Sequence, residues 1–127
     1  MKIKATLAIC LLCPALGSAQ IPLPPPDQTD LRAAYCFGIL KTIGTHEQEK
    51  RRVGGYIAGR LNSVDSDGIL IASKQAERDV QESIQNAVSC IAANCSTGDQ
   101  QCSARCAADP VMRSKIASCI ALNFLPY

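Results

Sequence analysis

Cysteine spacing constrains this chain more than any other feature of its sequence. The 127 residues contain eight cysteines, and four of them lie within residues 90–106. Cys10 and Cys13 fall in an N-terminal stretch with the order of a secretory signal: lysines, an apolar run, then small residues ending at Ala19. Its removal leaves six cysteines, and an even count in a small exported domain is typical of a disulfide framework. We therefore predict a signal peptide over residues 1–19 and a secreted or periplasmic protein.

The positions of the six remaining cysteines also predict how they pair. The polar segment STGDQ folds the chain back at Gly98, which places the cysteines on its two sides in two nested pairs. The two cysteines left over would join the first helix to the last. The predicted disulfides are Cys95–Cys102, Cys90–Cys106 and Cys36–Cys119. A scheme in which Cys36 pairs with Cys90 and not with Cys119 fits the spacing nearly as well, so both schemes stay open.

A zinc site is the main rival to disulfides for the four clustered sulfurs. Four thiolates can surround the ion tetrahedrally, but these four cysteines lack the two-residue spacing that shapes most zinc sites of this kind. The redox motif C-x-x-C occurs once, at Cys10 and Cys13 inside the predicted signal peptide, and is absent among the six remaining cysteines. We therefore expect sulfurs with a structural role, no metal and no cofactor.

The rest of the sequence has the periodicity of helices. Prolines predict an extended, solvated leader over residues 20–29, either a spacer or a proline-rich ligand for a partner. Over residues 30–127, apolar side chains recur every three or four positions, and alternation of period two is nowhere sustained. The longest such pattern, from Ile69 to Ile91, should form the spine of the fold. We predict a single helical domain that is all-α: a small disulfide-stapled bundle of four to five helices.

Local signals predict the helix ends. Thr29 or Asp30 is expected to cap the first helix, and Thr45 with Gln48 has the spacing of a capping box for the second. The second helix also contains three glycines, at positions 54, 55 and 59. Each of them weakens the helix by about 1 kcal/mol relative to alanine. We expect the close approach of a neighbouring backbone to compensate for this loss.

Charge and aromatic content narrow the classes of partner. The full chain has 13 Lys plus Arg against 11 Asp plus Glu, and loss of Lys2 and Lys4 with the signal leaves 11 of each. A neutral domain without Trp offers neither a basic field nor stacking platforms, so nucleic acid is not an expected partner. No apolar run is long enough to cross a bilayer, which predicts no membrane span in the mature chain.

The sequence contains no recognisable catalytic motif. The only histidine, His46, lacks a second histidine four residues later, and a surface position at a helix start is its expected place. Asp65 and Asp67 lack the terminal glutamate of a calcium loop. Glu47 and Glu49 point to different sides of a helix, which makes a glycan hydrolase built on them the least favoured hypothesis. We predict no catalytic residues and no enzymatic activity.

Elimination leaves binding as the predicted function. The first hypothesis is a protein-binding or inhibitor-type module whose partner is another protein. The alternative is a carrier of a lipid or small apolar ligand between the helices. One positive signal is the C-terminal ALNFLPY, whose Phe124, Leu125 and Tyr127 either dock on their own domain or contact a partner, including a second copy in a homodimer.

Overall fold

The computed structural model describes residues 22–126, and this range contains five α-helices and no strand. In chain order they are α1 (Gln28–Ile43), α2 (Glu47–Arg60), α3 (Ser66–Asn94), α4 (Gln100–Ala107) and α5 (Pro110–Ala121). The predicted all-α fold with its disulfides is confirmed. The signal peptide predicted over residues 1–19 lies outside the described residues.

The centre of the fold is α1. This helix packs against α2, α3 and α5, and its Ala33, Ile39 and Leu40 are completely buried. α3 is longer, with 29 residues against 16, but its second half extends beyond the core. The expectation that α3 is the spine therefore holds only for its first half, which packs against α1 in the core. The second half of α3 packs against α4 and lies outside the core.

The crossing of α1 and α3 depends on Gly38. A Cβ atom at this position would meet the main-chain oxygen of Ser73 and would lie 2.8 Å from the Cβ of Ala76. Glycine thus allows the two helices to approach more closely than any other residue would.

The glycines of α2 do not have the role that the sequence suggested. A Cβ added at Gly55 or Gly59 would meet nothing within 4 Å. At Gly54 it would meet the ring of Phe37 at 3.1 Å, which is a side chain and not a backbone. Close backbone approach therefore occurs at α1, and the expectation for α2 is wrong.

The five helices form two regions. The body comprises α1, α2, α5 and residues 66–80 of α3, and it contains the main apolar core and the Cys36–Cys119 disulfide. The arm comprises residues 81–107, which are the rest of α3, the following turn and α4. Within this range only Cys102 is buried. The disulfides Cys90–Cys106 and Cys95–Cys102 hold α4 against α3.

The three disulfides follow the nested scheme. The Cα atoms are 5.2 Å apart in Cys36–Cys119 and 5.5 Å apart in each disulfide of the arm, all within the usual range. Gly98 has a φ of 84° at the turn between α3 and α4. This left-handed conformation favours glycine, which explains why the chain folds back at that position.

The N-terminus of α1 lies earlier than expected. Asp27 caps the helix, because its carboxylate accepts a hydrogen bond of 2.8 Å from the backbone N–H of Asp30. Asp30 completes the capping box by accepting a hydrogen bond of 3.0 Å from the backbone N–H of Asp27. Before the helix, the Pro24 carbonyl accepts a hydrogen bond of 2.8 Å from the backbone N–H of Asp65. Part of the leader is thus docked on the body and not fully solvated.

The predicted capping box of α2 is not formed. His46 precedes the helix with a φ of 59° and makes no side-chain capping bond. The Thr45 hydroxyl lies 2.9 Å from His46 Nδ1 instead. His46 is exposed at the start of α2, where the sequence placed it.

Candidate functional site: an apolar groove in the body

A groove of about 750 Å³ is formed by α1, α3 and α5. Because α1 contacts both of the other helices, it forms the floor between them. Most of the exposed lining surface is apolar, and Leu31, Cys36, Ile71, Ala72 and Cys119 contribute to it. This volume is typical of sites that bind small molecules, which is why we treat the groove as the candidate site.

The Cys36–Cys119 disulfide forms part of the floor. Both cysteines are buried, and the bond joins α1 directly to α5. The distance between these helices is therefore fixed covalently at the groove. A site whose walls are already in place binds without the entropic cost of ordering them.

Polar contacts join Tyr35, Gln75 and Lys115, which line the groove, to Asp79 beside it. The Tyr35 hydroxyl donates a hydrogen bond to Asp79, which also accepts one of 2.8 Å from the Gln75 amide. Lys115 Nζ lies 3.6 Å from the same carboxylate. The hydrogen bond from Tyr35 is the main cause that lowers the pKa of Asp79 below its ordinary value. Burial, and then Asp79, raise the pKa of Tyr35, so this cluster holds a neutral phenol and an ion pair.

Arg32 also lines the groove and is exposed. Its guanidinium donates a hydrogen bond of 3.3 Å to the Ser118 hydroxyl and lies 4.6 Å from the centre of the Phe124 ring. Within residues 22–126, Arg32 forms no ion pair with a carboxylate. No carboxylate of residues 22–126 therefore compensates its positive charge at the groove.

The C-terminal residues predicted either to dock on their own domain or to contact a partner lie mainly against the body. Leu125 is only 6% exposed and belongs to the core, and Phe124 is half-buried beneath Arg32. The segment turns back at Leu122, whose carbonyl accepts a hydrogen bond of 3.2 Å from the backbone N–H of Leu125. Leu125 is thus a core residue and not a surface contact. Tyr127 lies outside the described residues.

The clustered sulfurs of the arm meet the spacing of a metal site but not its chemistry. The Sγ atoms of Cys95, Cys102 and Cys106 lie within 4.8 Å of one another. All three are disulfide sulfurs, whereas zinc binds thiolates.

The carboxylates considered in the sequence have local partners. Glu47 forms an ion pair of 2.9 Å with Lys50, and this contact lowers the pKa of Glu47. Asp65 caps α3 by accepting a hydrogen bond of 3.1 Å from the backbone N–H of Asp67. Neither arrangement forms a cleft with two facing carboxylates, and neither Glu47 nor Asp65 lines the groove.

Asp30 forms a buried network that the sequence did not reveal. The residue is 1% exposed and accepts hydrogen bonds of 2.8 and 3.0 Å from the Arg60 guanidinium. The Tyr56 hydroxyl donates a third of 3.1 Å. These contacts, led by the one from Arg60, lower the pKa of Asp30 to about 2. The network joins α1 to α2 on a side of α1 that does not line the groove.

Sequence reasoning also missed the groove itself. Ile71 offered a signal, because this large apolar residue is out of phase with the apolar stripe that includes Ile69, Ala72 and Ala76. Which helices face Ile71 depends on how the chain folds back through two loops, and helical periodicity does not determine that arrangement.

Fold and site together define a small all-α protein that is cross-linked by three disulfides and carries an apolar groove. A scan against protein-family models finds no match, and searches of curated proteins and of solved structures find none either. Along residues 22–126, no helix has both the length and the apolar character required to cross a membrane.

Proposed function

We propose that this chain is an exported, non-catalytic binding protein that holds a small apolar molecule in the groove. The single observation that carries the proposal is an apolar groove of about 750 Å³ whose floor is fixed by the Cys36–Cys119 disulfide. This is the alternative that the sequence left open, a carrier of a lipid or small apolar ligand. Three disulfides support an oxidising compartment, either the periplasm or the exterior of the cell.

Apolar surface in the groove provides the driving force for binding. Ile71 is 65% exposed although its side chain is large and apolar, and it lies beside Ala72 on one wall. A ligand that covers such surface gains about 25 cal/mol for each Å² removed from water. Tyr35, Asp79 and Lys115 are engaged with one another, which favours binding over a reaction at this site.

A series of straight-chain alcohols from octanol to dodecanol tests this function by calorimetric titration of the disulfide-intact protein. Each added methylene should improve the free energy of binding by about 0.8 kcal/mol, or roughly fourfold in Kd, until the groove is full. A Kd that does not change with chain length, or no binding by any alcohol, would contradict the proposal.

Substitution of Ile71 tests whether the groove is the site. Ile71→Asp places a charge among apolar groups and should weaken alcohol binding about tenfold or more. Ile84→Asp is the matched control, because it makes the same chemical change outside the groove. Ile84 lies on the arm and is 55% exposed. Equal loss of binding in both variants would show that the groove is not the site.

Recognition of another protein remains a second candidate, supported by a different surface. Ile84 and Val88 are exposed one turn apart on α3 and extend its apolar face beyond Val80, where the body ends. A photo-crosslinker at position 88 should capture a partner in the native compartment, and one at the neighbouring polar position Gln85 should capture less. Equal capture at both positions, or none, would contradict this candidate.

A further inference from the structure

We propose that the ligand of the groove is a single-chain amphiphile with a carboxylate head group, which Arg32 and Ser118 bind at the mouth. The inference rests on the proposed function, because it names the class of ligand for the same groove. It follows from the charges of the two cations that line the groove.

Of these two cations, only Arg32 has a charge left for a ligand to neutralise. Lys115 lies 3.6 Å from the carboxylate of Asp79 and 5.5 Å from the centre of the Tyr35 ring, so it already has an anionic partner. Arg32 has an aromatic ring and a hydroxyl as partners, and neither carries a negative charge. An anionic head group is therefore complementary to Arg32 and not to Lys115.

The chemistry of Arg32 and Ser118 favours a carboxylate in particular. A guanidinium presents five N–H donors in a planar fork that matches the two oxygens of a carboxylate. The contact with the Phe124 ring restrains the plane of this fork. The Ser118 hydroxyl accepts a hydrogen bond from Arg32 and keeps its own proton for donation to a ligand oxygen.

The position of this pair leaves the apolar lining for a hydrocarbon chain. Ser118 is one helical turn from Lys115 on α5, and Arg32 is one turn from Tyr35 on α1, so the Arg32–Ser118 pair is separate from the cluster of Tyr35, Asp79 and Lys115. A ligand whose head group is bound by Arg32 has its chain over the apolar lining, which includes the Cys36–Cys119 disulfide and Ile71. Its head group stays at the solvent-exposed mouth, where desolvation of the charge costs little.

Matched ligands test the head-group class directly. Decanoate, decanol and decylammonium have the same chain, and each is titrated into the disulfide-intact protein at low salt and below its aggregation concentration. Decanoate should bind about threefold to fivefold more tightly than decanol, and decylammonium should bind most weakly. Added salt should narrow the advantage of decanoate and leave decanol unchanged, because only the charged pair is screened.

Three variants assign the preference to Arg32. Arg32→Gln should reduce decanoate binding to the level of decanol, with decanol binding retained as proof that the groove is intact. Arg32→Lys keeps the charge without the fork and should restore part of the preference. Arg105→Gln removes an equal charge from the arm and should change the Kd of neither decanoate nor decanol.

Failure of the inference is distinguishable from failure of the proposed function. If decanoate and decanol bind equally, or if Arg32→Gln leaves the ratio of their Kd values unchanged, the carboxylate assignment is wrong and the groove remains a binding site. If no member of the series binds, the proposed function and the head-group assignment are both wrong.

Discussion

The body and the arm consist of the same kind of helix, but different forces hold them together. In the body, α1 is packed on three sides and buries large side chains such as Ile39 and Leu40 completely. In the arm, α3 and α4 bury only Cys102 between them. One disulfide spans 83 positions in the body, whereas two disulfides span 16 and 7 positions in the arm.

This difference shows that cross-links can replace a core over a short distance. α4 has eight residues, and an isolated helix of that length is not stable in water. Its two disulfides limit the conformations of the unfolded arm and thereby supply what burial does not. The groove lies in the body, where packing and a disulfide together fix the walls.

The largest expected effect is the loss of the body disulfide. The double variant Cys36→Ala/Cys119→Ala should lower the free energy of unfolding by about 4 to 5 kcal/mol, because the bond closes a loop of 83 positions. Urea unfolding followed by circular dichroism measures this change.

The matched variant in the arm sharpens the comparison. Cys95→Ala/Cys102→Ala should leave the unfolding of the body almost unchanged, while α4 loses protection from hydrogen exchange. If Cys95→Ala/Cys102→Ala destabilises the body as much as Cys36→Ala/Cys119→Ala does, the body and the arm are one cooperative unit and the distinction between them fails.

Truncation of apolar side chains should have the next largest effect and should differ between the regions. Ile39→Ala removes completely buried methylenes and should cost about 3 kcal/mol of unfolding free energy. Val88→Ala, at a position that is 57% exposed on the arm, should change it by less than about 0.5 kcal/mol. Similar urea midpoints for the two variants would mean that the arm also has a core.

Acid should weaken the body through Asp30. The pKa of Asp30 is about 2 in the folded protein against an ordinary 3.8, so the unfolded chain takes up a proton at a pH where the folded chain does not. This stabilisation is complete above about pH 4 and is lost as the pH falls towards 2, a loss of about 2 kcal/mol.

The difference between the native protein and Asp30→Asn isolates this contribution. Urea unfolding of the native protein and of Asp30→Asn is measured from pH 5 to pH 2. The free energy of unfolding should fall more steeply with pH in the native protein. Parallel curves would show that Asp30 does not couple stability to pH.

The smallest expected effects come from two glycines of the body. Gly38→Ala should cost about 1.5 kcal/mol of unfolding free energy, because its Cβ would overlap with α3 at the tight crossing. Gly59→Ala should raise the free energy of unfolding by about 0.5 to 1 kcal/mol, because open space surrounds that position and alanine is the better helix former. Thermal melts compare the two, and stabilisation by both would mean that α1 and α3 are not in close contact.

Local sequence signals predicted the helical class and the arm well. A polar turn with a glycine between helices places residues at equal distances on opposite sides, so counting favours the nested disulfides of the arm. Counting left Cys36–Cys90 open as an alternative to Cys36–Cys119. The packing of α5 on α1 distinguishes the two schemes, because it places Cys119 beside Cys36.

The features that the sequence did not reveal depend on how distant helices pack. Asp30 resembles an ordinary first-turn acid until Arg60 is brought against it by the turn between α1 and α2. The groove exists because α3 and α5 pack on different sides of α1, and Gly38 decides how close α3 comes. Periodicity identifies the apolar side of each helix but not the helix that covers it.

Chemical-shift mapping with decanoate tests the central claim most directly, because it reports on body and arm in one ¹H–¹⁵N spectrum. The account predicts that saturating decanoate shifts the amide signals of residues along the groove, such as Leu31, Ile71 and Ser118, and leaves those of the arm in place. Shifts centred on Ile84 and Val88, or no shifts at all, would contradict it.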